Sequence, residues 1–143
     1  MENILDIYNK TNNFGRLINM TFDEVQSGHV IYRMPVSKNI LATPTTAHGG
    51  AIAGFMDAII GIAALSSVVN EQKLVSTVEY KINFIKPAMH NDELTGVGKV
   101  IQKGKRIIVS KGDIFNQNKD LIATALGTFN AYPFEKSDIF SSL

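Results

Sequence analysis

From Gly49 to Val69 the chain runs GGAIAGFMDAIIGIAALSSVV, a stretch of small and apolar residues that carries a single charge, Asp57. A segment of this kind has two destinations. It can span a bilayer, which takes about 20 residues at roughly 1.5 Å of rise each, or it can form a helix buried on all sides by the rest of the protein. Gly49, Gly50, Gly54 and Gly61, with alanines between them, favour close packing against other backbone, and neither a Lys/Arg cluster nor a Trp flanks the run. The expectation is a central helix wrapped by a sheet, with no membrane span. Asp57 is then the anomaly. Burying an ionised carboxylate without partners is costly, so this one must be paired, hydrogen-bonded or used. It is the first candidate for chemistry.

The remainder of the chain supplies the wrapping. Ile4, Leu5, Ile7 and Tyr8 fit a short helix between about Asn3 and Asn12, with no chemistry assigned to it. Two extended segments follow, Leu17 to Val25 and His29 to Val36, divided by Gln26-Ser27-Gly28. A loop from Lys38 to Ala47, holding Pro44 and three threonines, leads into the helix. From Thr77 to Phe84 apolar and polar residues alternate strictly, so Val78, Tyr80, Ile82 and Phe84 share one face and Thr77, Glu79, Lys81 and Asn83 the other. Three further strands, Leu94 to Gln102, Arg106 to Phe115 and Leu121 to Tyr132, are joined by Lys103-Gly104-Lys105 and by the polar segment Asn116 to Asp120. Two strands, one long helix and four strands in that order indicate an α+β fold with an antiparallel sheet. Pro133 to Leu143 reads as a loosely held tail.

Length and composition narrow the function. The 143 residues fit one domain, 1–143, with its core at about 17–132. A formal net charge of +1 argues against nucleic acid as a partner. The absence of cysteine removes disulfides, thiolate nucleophiles and cysteine zinc sites, and His29, His48 and His90 lack metal-ligand spacing, so no metal is expected. The segment MENILDIYNK lacks the basic and apolar regions of a secretory signal, and a cytoplasmic location is the default.

Specific motifs then accumulate in a recognisable order. His48-Gly49-Gly50 with Asp57 resembles the HGG-x6-D signature of hotdog-fold acyl-CoA thioesterases of the phenylacetate-degradation type. The segment from Thr77 to Ala88 is similar to that family's strand ending in Pro-Ala. Asp92-Glu93-Leu94 resembles its G-D-x-L turn with Asn91 in place of glycine, Gln102 to Arg106 its glycine hairpin, and Ile122 to Phe129 its closing strand. The resemblance covers roughly residues 17 to 132. It implies a hotdog fold and hydrolysis of an acyl-CoA to a carboxylic acid and free CoA, with no separate cofactor because coenzyme A belongs to the substrate. Asp57 would activate water or attack the thioester itself, the Gly49 N–H would polarise the thioester carbonyl, Thr77 would help orient the water, and His48 would fix the loop or contact substrate. Where the family often carries Asn or Gln as a second polariser, six residues before the histidine, this chain has Ala42, and Asn39 lies three residues further back. Asn39, Gly50, Lys86, Lys103, Lys105 and Arg106 are the candidate substrate contacts. Phe55, Met56, Ile59 and Ile60 are candidate acyl-pocket residues. The missing Asn leaves a non-catalytic acyl-CoA-binding protein as the alternative, whereas a hotdog hydratase lacks its motif here.

Physical chemistry supports these roles independently. Attack on a thioester makes an oxyanion, and one pre-aimed N–H donor is worth about 10²–10³ in rate. The first N–H groups of a helix have no internal partner and sit at the positive end of its dipole. Gly49 and Asp57 are eight residues apart, about 12 Å along one helix, too far to act on one carbonyl. If both serve one reaction, the donor of one chain meets the carboxylate of another, with two equivalent sites about a two-fold axis. The expected unit is a homodimer; in the family such dimers often pair into tetramers.

Overall fold

The computed structural model describes residues 3–139. Two short helices, α1 (Ile4–Thr11) and α2 (Asn13–Leu17), precede strands β1 (Thr21–Gln26) and β2 (His29–Pro35). A 3₁₀ turn (Lys38–Ile40) leads to the long helix α3 (Gly49–Val68), which a second turn (Val69–Glu71) joins to β3 (Lys73–Phe84), β4 (Glu93–Lys103), β5 (Ile107–Phe115) and β6 (Leu121–Pro133). The strands form one antiparallel sheet in the order β1-β2-β4-β5-β6-β3. It curves around α3, and this is the hotdog arrangement that the motifs imply.

α3 is apolar nearly all round, and the structure buries it accordingly. Phe55, Met56, Ile59 and Ile60 are completely enclosed against the sheet. They are core residues and take no part in the cavity described below, so their expected role in an acyl pocket is withdrawn. By length and composition α3 with its following turn would suffice to cross a membrane, but 67% of its apolar window lies inside the fold.

Glycines on the sheet make room for the helix. A Cβ on Gly96 would stand 2.1 Å from the end of Ile59, one on Gly112 2.7 Å from Met56 Sδ, and one on Gly98 2.6 Å from the backbone oxygen of Ile59. The first two neighbours are ends of flexible side chains; the third is helix backbone and cannot step aside. Gly98→Ala is therefore expected to destabilise the fold by about 1–3 kcal/mol, as overpacked cores do. The measurement is the midpoint of denaturant unfolding, with an unchanged slope.

Two sequence expectations change. Leu17 and Ile18 belong to the end of α2 and its cap rather than to a strand, which begins at Thr21. Asn12 ends α1 and caps α2 through its side chain, accepting from the Gly15 N–H. The tail is also held more firmly than its composition indicates: the Phe134 N–H donates to Gln72 O at 3.0 Å, and Phe134 and Ile139 pack against the core. Residues 140–143 of that tail lie outside the described residues.

The strict alternation in β3 is broken once, at a consequential place. Thr77 pairs with Phe129 and Glu79 with Thr128, so Val78 is an extra residue in a β-bulge. Without it Thr77 and Tyr80 would face opposite sides of the sheet. With it both face α3, opposite Phe129 and Gly127 respectively. The alternation read from the sequence placed Thr77 on the face away from Tyr80, and the bulge overturns that placement.

Candidate active site

Asp57 lies one helical face of α3 away from the enclosed core and is half-buried. Its Oδ1 accepts a hydrogen bond from Thr77 Oγ1 at 2.8 Å. This is the contact that the bulge makes possible. Asp57 and Thr77 together open onto a cavity of about 780 Å³ between α3, β3, the N-terminal helices and the C-terminal segment. Its charge is felt locally: Tyr8 and Tyr80 both titrate above the ordinary tyrosine value, first because burial disfavours the phenolate and second because Asp57 repels it. Tyr80 also ties β3 to the helix, donating from its hydroxyl to Ala53 O at 2.7 Å.

The start of α3 is built by His48. Its Nδ1 accepts the Gly50 N–H at 2.7 Å, its own N–H donates to Ile40 O at 2.7 Å, and its carbonyl receives the Ala51 and Ile52 N–H groups. An accepting Nδ1 is unprotonated, which leaves the proton of the neutral ring on Nε2. His48 is therefore the helix cap, in agreement with its reading as the residue that fixes this loop. Gly50 is corrected: its N–H is taken by His48 and is not open to a ligand. The Gly49 N–H has no hydrogen-bond partner among the described residues and lies at an exposed helix start. Gly49 borders a second, smaller hollow of about 330 Å³ with Phe84 and Lys86, apart from the cavity that holds Asp57.

The loop before His48 folds back on itself. The Ala42 N–H donates to Thr46 O at 2.9 Å, Leu41 bridges Ala47, and the Thr43 and Thr46 hydroxyls meet at 2.6 Å. The Thr-rich turn is thereby closed off, and Ile40 comes to face His48. Exposed Asn39 is thus one residue from the group that binds the helix cap, whereas Ala42 lies within the turn.

The basic candidates divide. Lys86 is engaged by Asp120 at 2.9 Å, and Lys103 by Glu71 and by Ser67 O; the hydrogen bond from the Lys103 ammonium holds the Glu71 carboxyl below its usual range. Lys103 ties the hairpin to the end of α3, so the structure gives it a fold role in place of a substrate contact. The Lys105 and Arg106 side chains are exposed, and among the described residues no hydrogen bond or ion pair engages them.

The short helix expected between Asn3 and Asn12 is present as α1, but α2 and the part both play in the site are what sequence reasoning missed. α1 buries Ile4 and Ile7, and Tyr8, Asn12 and Phe14 reach the cavity containing Asp57. The Asn12 amide donates to the Tyr8 hydroxyl at 3.3 Å. The available signal was the apolar pairing of Ile4 with Ile7, which marks a helix that must dock somewhere.

Comparison with known proteins places this geometry. Residues 45–123 match the family model described as the thioesterase superfamily. A Saccharolobus solfataricus protein provisionally named an esterase is 29% identical over 126 residues, covering 88% of each chain. Among solved structures, the Escherichia coli PaaI protein of the phenylacetic acid degradation operon superposes with a TM-score of 0.83 over 91% of each chain at 21% identity, a likeness of fold. A Streptococcus mutans protein crystallised with acetyl-CoA is 27% identical, with a TM-score of 0.74 over 80% of this chain and 90% of its own.

Proposed function

The chain belongs to the thioesterase superfamily, and from that premise we propose that it hydrolyses an acyl-CoA thioester to a carboxylic acid and free CoA. The observation that carries the reading is the 2.8 Å contact between Thr77 and Asp57 at the mouth of a large cavity. One carboxylate oxygen is held by Thr77, which fixes the side chain at the cavity wall. In the base form of the reaction, Asp57 takes a proton from water as the water oxygen bonds to the acyl carbon. The carbonyl becomes an oxyanion, received by the Gly49 N–H. Collapse breaks the C–S bond, and the protonated Asp57 returns its proton to the departing CoA sulfur, which leaves as the thiol. In the nucleophile form, an Asp57 oxygen bonds to the acyl carbon, the C–S bond breaks as CoA leaves and takes up a proton from solvent, and water then hydrolyses the resulting anhydride to the acid and free Asp57. Both use the same carboxylate, and both draw only on side-chain and backbone groups. The acetyl-CoA bound to the S. mutans protein supports a CoA thioester as ligand.

The reaction is assigned to a homodimer. Gly49 and Asp57 stand about 12 Å apart on one straight helix, and they border different hollows. The partner chain is therefore needed to bring a Gly49 N–H to each Asp57. β3 supports the pairing: it is a sheet edge of 12 residues, bonded among the described residues to β6 alone, and Val78 and Phe84 on it are 59% and 55% exposed. Such an edge invites association with another chain. Asn39, carried to the helix start by the closed turn, takes the place of the absent polariser at Ala42, and Lys105 and Arg106 remain free for the CoA phosphates.

The test is release of free thiol from acyl-CoAs by the purified protein. Turnover that is proportional to enzyme supports the reading. Saturable acyl-CoA binding without thiol release would instead establish the non-catalytic alternative.

A further inference from the structure

We propose that Tyr8, on α1, determines specificity by donating a hydrogen bond to a keto oxygen carried by the acyl group. The inference rests on the thioesterase reading and gives that same site a class of substrate, the oxoacyl-CoAs. Asn12 sets the direction of the bond. As the cap of α2 its Oδ1 accepts the Gly15 N–H at 3.0 Å, which fixes the orientation of the amide, and its Nδ2 donates to the Tyr8 hydroxyl at 3.3 Å. An amide nitrogen only donates, so the Tyr8 oxygen is the acceptor and its own proton is left for another partner. Among the described residues none takes it. Gly15 is needed for this arrangement, because a Cβ there would collide with the Asn12 amide nitrogen.

Tyr8 and Asn12 both border the cavity that holds Asp57. Phe14 seats α2 on the same helix: its ring would stand 3.0 Å from a Cβ on Gly54, three residues before Asp57. Two other hydroxyls of the cavity wall are already engaged, Thr77 with Asp57 and Thr11 with the carbonyls of Ile7 and Tyr8. Burial first, and the Asp57 charge second, hold the Tyr8 phenol above the ordinary tyrosine value. At neutral pH it therefore keeps its proton and meets a ligand as a donor.

The nature of the acceptor follows from the rest of the wall. Asp57 and Asp138 border the cavity and none of its described lining residues is Lys or Arg, so a carboxylate on the acyl group would be repelled. A hydroxyl would accept from Tyr8 but bring a proton that needs a partner of its own. A keto oxygen only accepts. It matches a wall that offers one unspent donor, and a plain hydrocarbon chain would leave that donor unpaired.

The experiment measures kcat/KM for thiol release from hexanoyl-, 3-oxohexanoyl-, 5-oxohexanoyl- and 5-hydroxyhexanoyl-CoA with the wild type, Tyr8→Phe and Asn12→Asp. A 3-oxo group activates a thioester by itself, and comparing each oxo-to-hexanoyl ratio between proteins removes that contribution. For at least one oxo position the ratio is expected to fall about three- to ten-fold in Tyr8→Phe, the worth of one neutral hydrogen bond. Asn12→Asp keeps the helix cap, but its second oxygen accepts from Tyr8 and turns the phenol proton away from the ligand. The ratio should fall there by a similar factor with Tyr8 still in place, which a merely space-filling Tyr8 would not produce. Unfolding midpoints of both variants establish that they are folded. Oxo-to-hexanoyl ratios that do not change in Asn12→Asp, or a wild-type preference for the hydroxy over both oxo substrates, overturn the proposal. If no substrate releases thiol, calorimetric binding of the same compounds decides. Tighter binding of an oxo compound than of hexanoyl-CoA, lost in Tyr8→Phe, upholds Tyr8 and overturns hydrolysis; equal binding overturns both.

Discussion

Asp57→Asn is expected to lose about 10²–10⁴ of kcat, the contribution typical of a positioned acid–base group, while its unfolding midpoint stays close to that of the wild type. The two halves of that expectation come from one contact. Thr77 Oγ1 donates to Asp57 Oδ1 at 2.8 Å, and an asparagine oxygen accepts the same bond at the same place, so the fold keeps its tie between β3 and α3. What the amide lacks is a lone pair basic enough to take a proton from water, or nucleophilic enough to reach the acyl carbon. KM should move little, because the amide has nearly the shape of the carboxylate and the cavity walls are untouched. Initial rates of thiol release at saturating acyl-CoA, with denaturant unfolding of the same preparations, make the check. Undiminished turnover would remove Asp57 from the reaction.

Gly49→Pro is expected to lose about 10²–10³ of kcat, the effect of deleting one oxyanion donor, and again without unfolding. Proline usually breaks a helix, but Gly49 is the first helical residue, where the missing N–H breaks no internal bond and proline is favoured. The residue before it must be extended, and His48 already is, with φ −67° and ψ 134°. The ring would meet the Phe84 side chain at ordinary contact distance, since a Cβ on Gly49 stands 3.7 Å from it. The His48–Gly50 cap bond is kept. The substitution therefore removes one hydrogen-bond donor and little else. Gly49→Ala, which retains the N–H, should lose far less. If Gly49→Pro and Gly49→Ala have equal turnover, this N–H does not serve the carbonyl.

The architecture was legible because α3 offers so little choice. A long apolar helix with strands on both sides of it in sequence can only be wrapped by them, and the turn residues mark nearly every strand boundary. The pair Asp57 and Thr77 was legible as residues but not as geometry: strict alternation in β3 points Thr77 away from Tyr80, and only the bulge at Val78 reconciles both with α3. Bulges follow from the register of a whole strand pair, which no local pattern encodes. Gly50 shows a similar limit. Two glycines at a helix start look like two free donors, yet the side chain of His48 turns back to claim one of them. The contribution of α1 and α2 escaped because Tyr8, Asn12 and Phe14 are remote in sequence from the motifs and meet Asp57 only through tertiary docking. Ion pairs such as Lys86–Asp120 and Lys103–Glu71 likewise join residues more than thirty apart.

The central claim is that each reaction uses Asp57 of one chain and Gly49 of another. It is tested by mixing Asp57→Asn and Gly49→Pro proteins, each nearly inactive alone, and unfolding and refolding them together. In a mixed dimer one site carries both substitutions and the other carries neither. Random pairing of equal amounts makes half the dimers mixed, so thiol release should recover to about a quarter of the wild-type rate. If both groups act within one chain, every site retains a defect, and the refolded mixture would be as inactive as its parents.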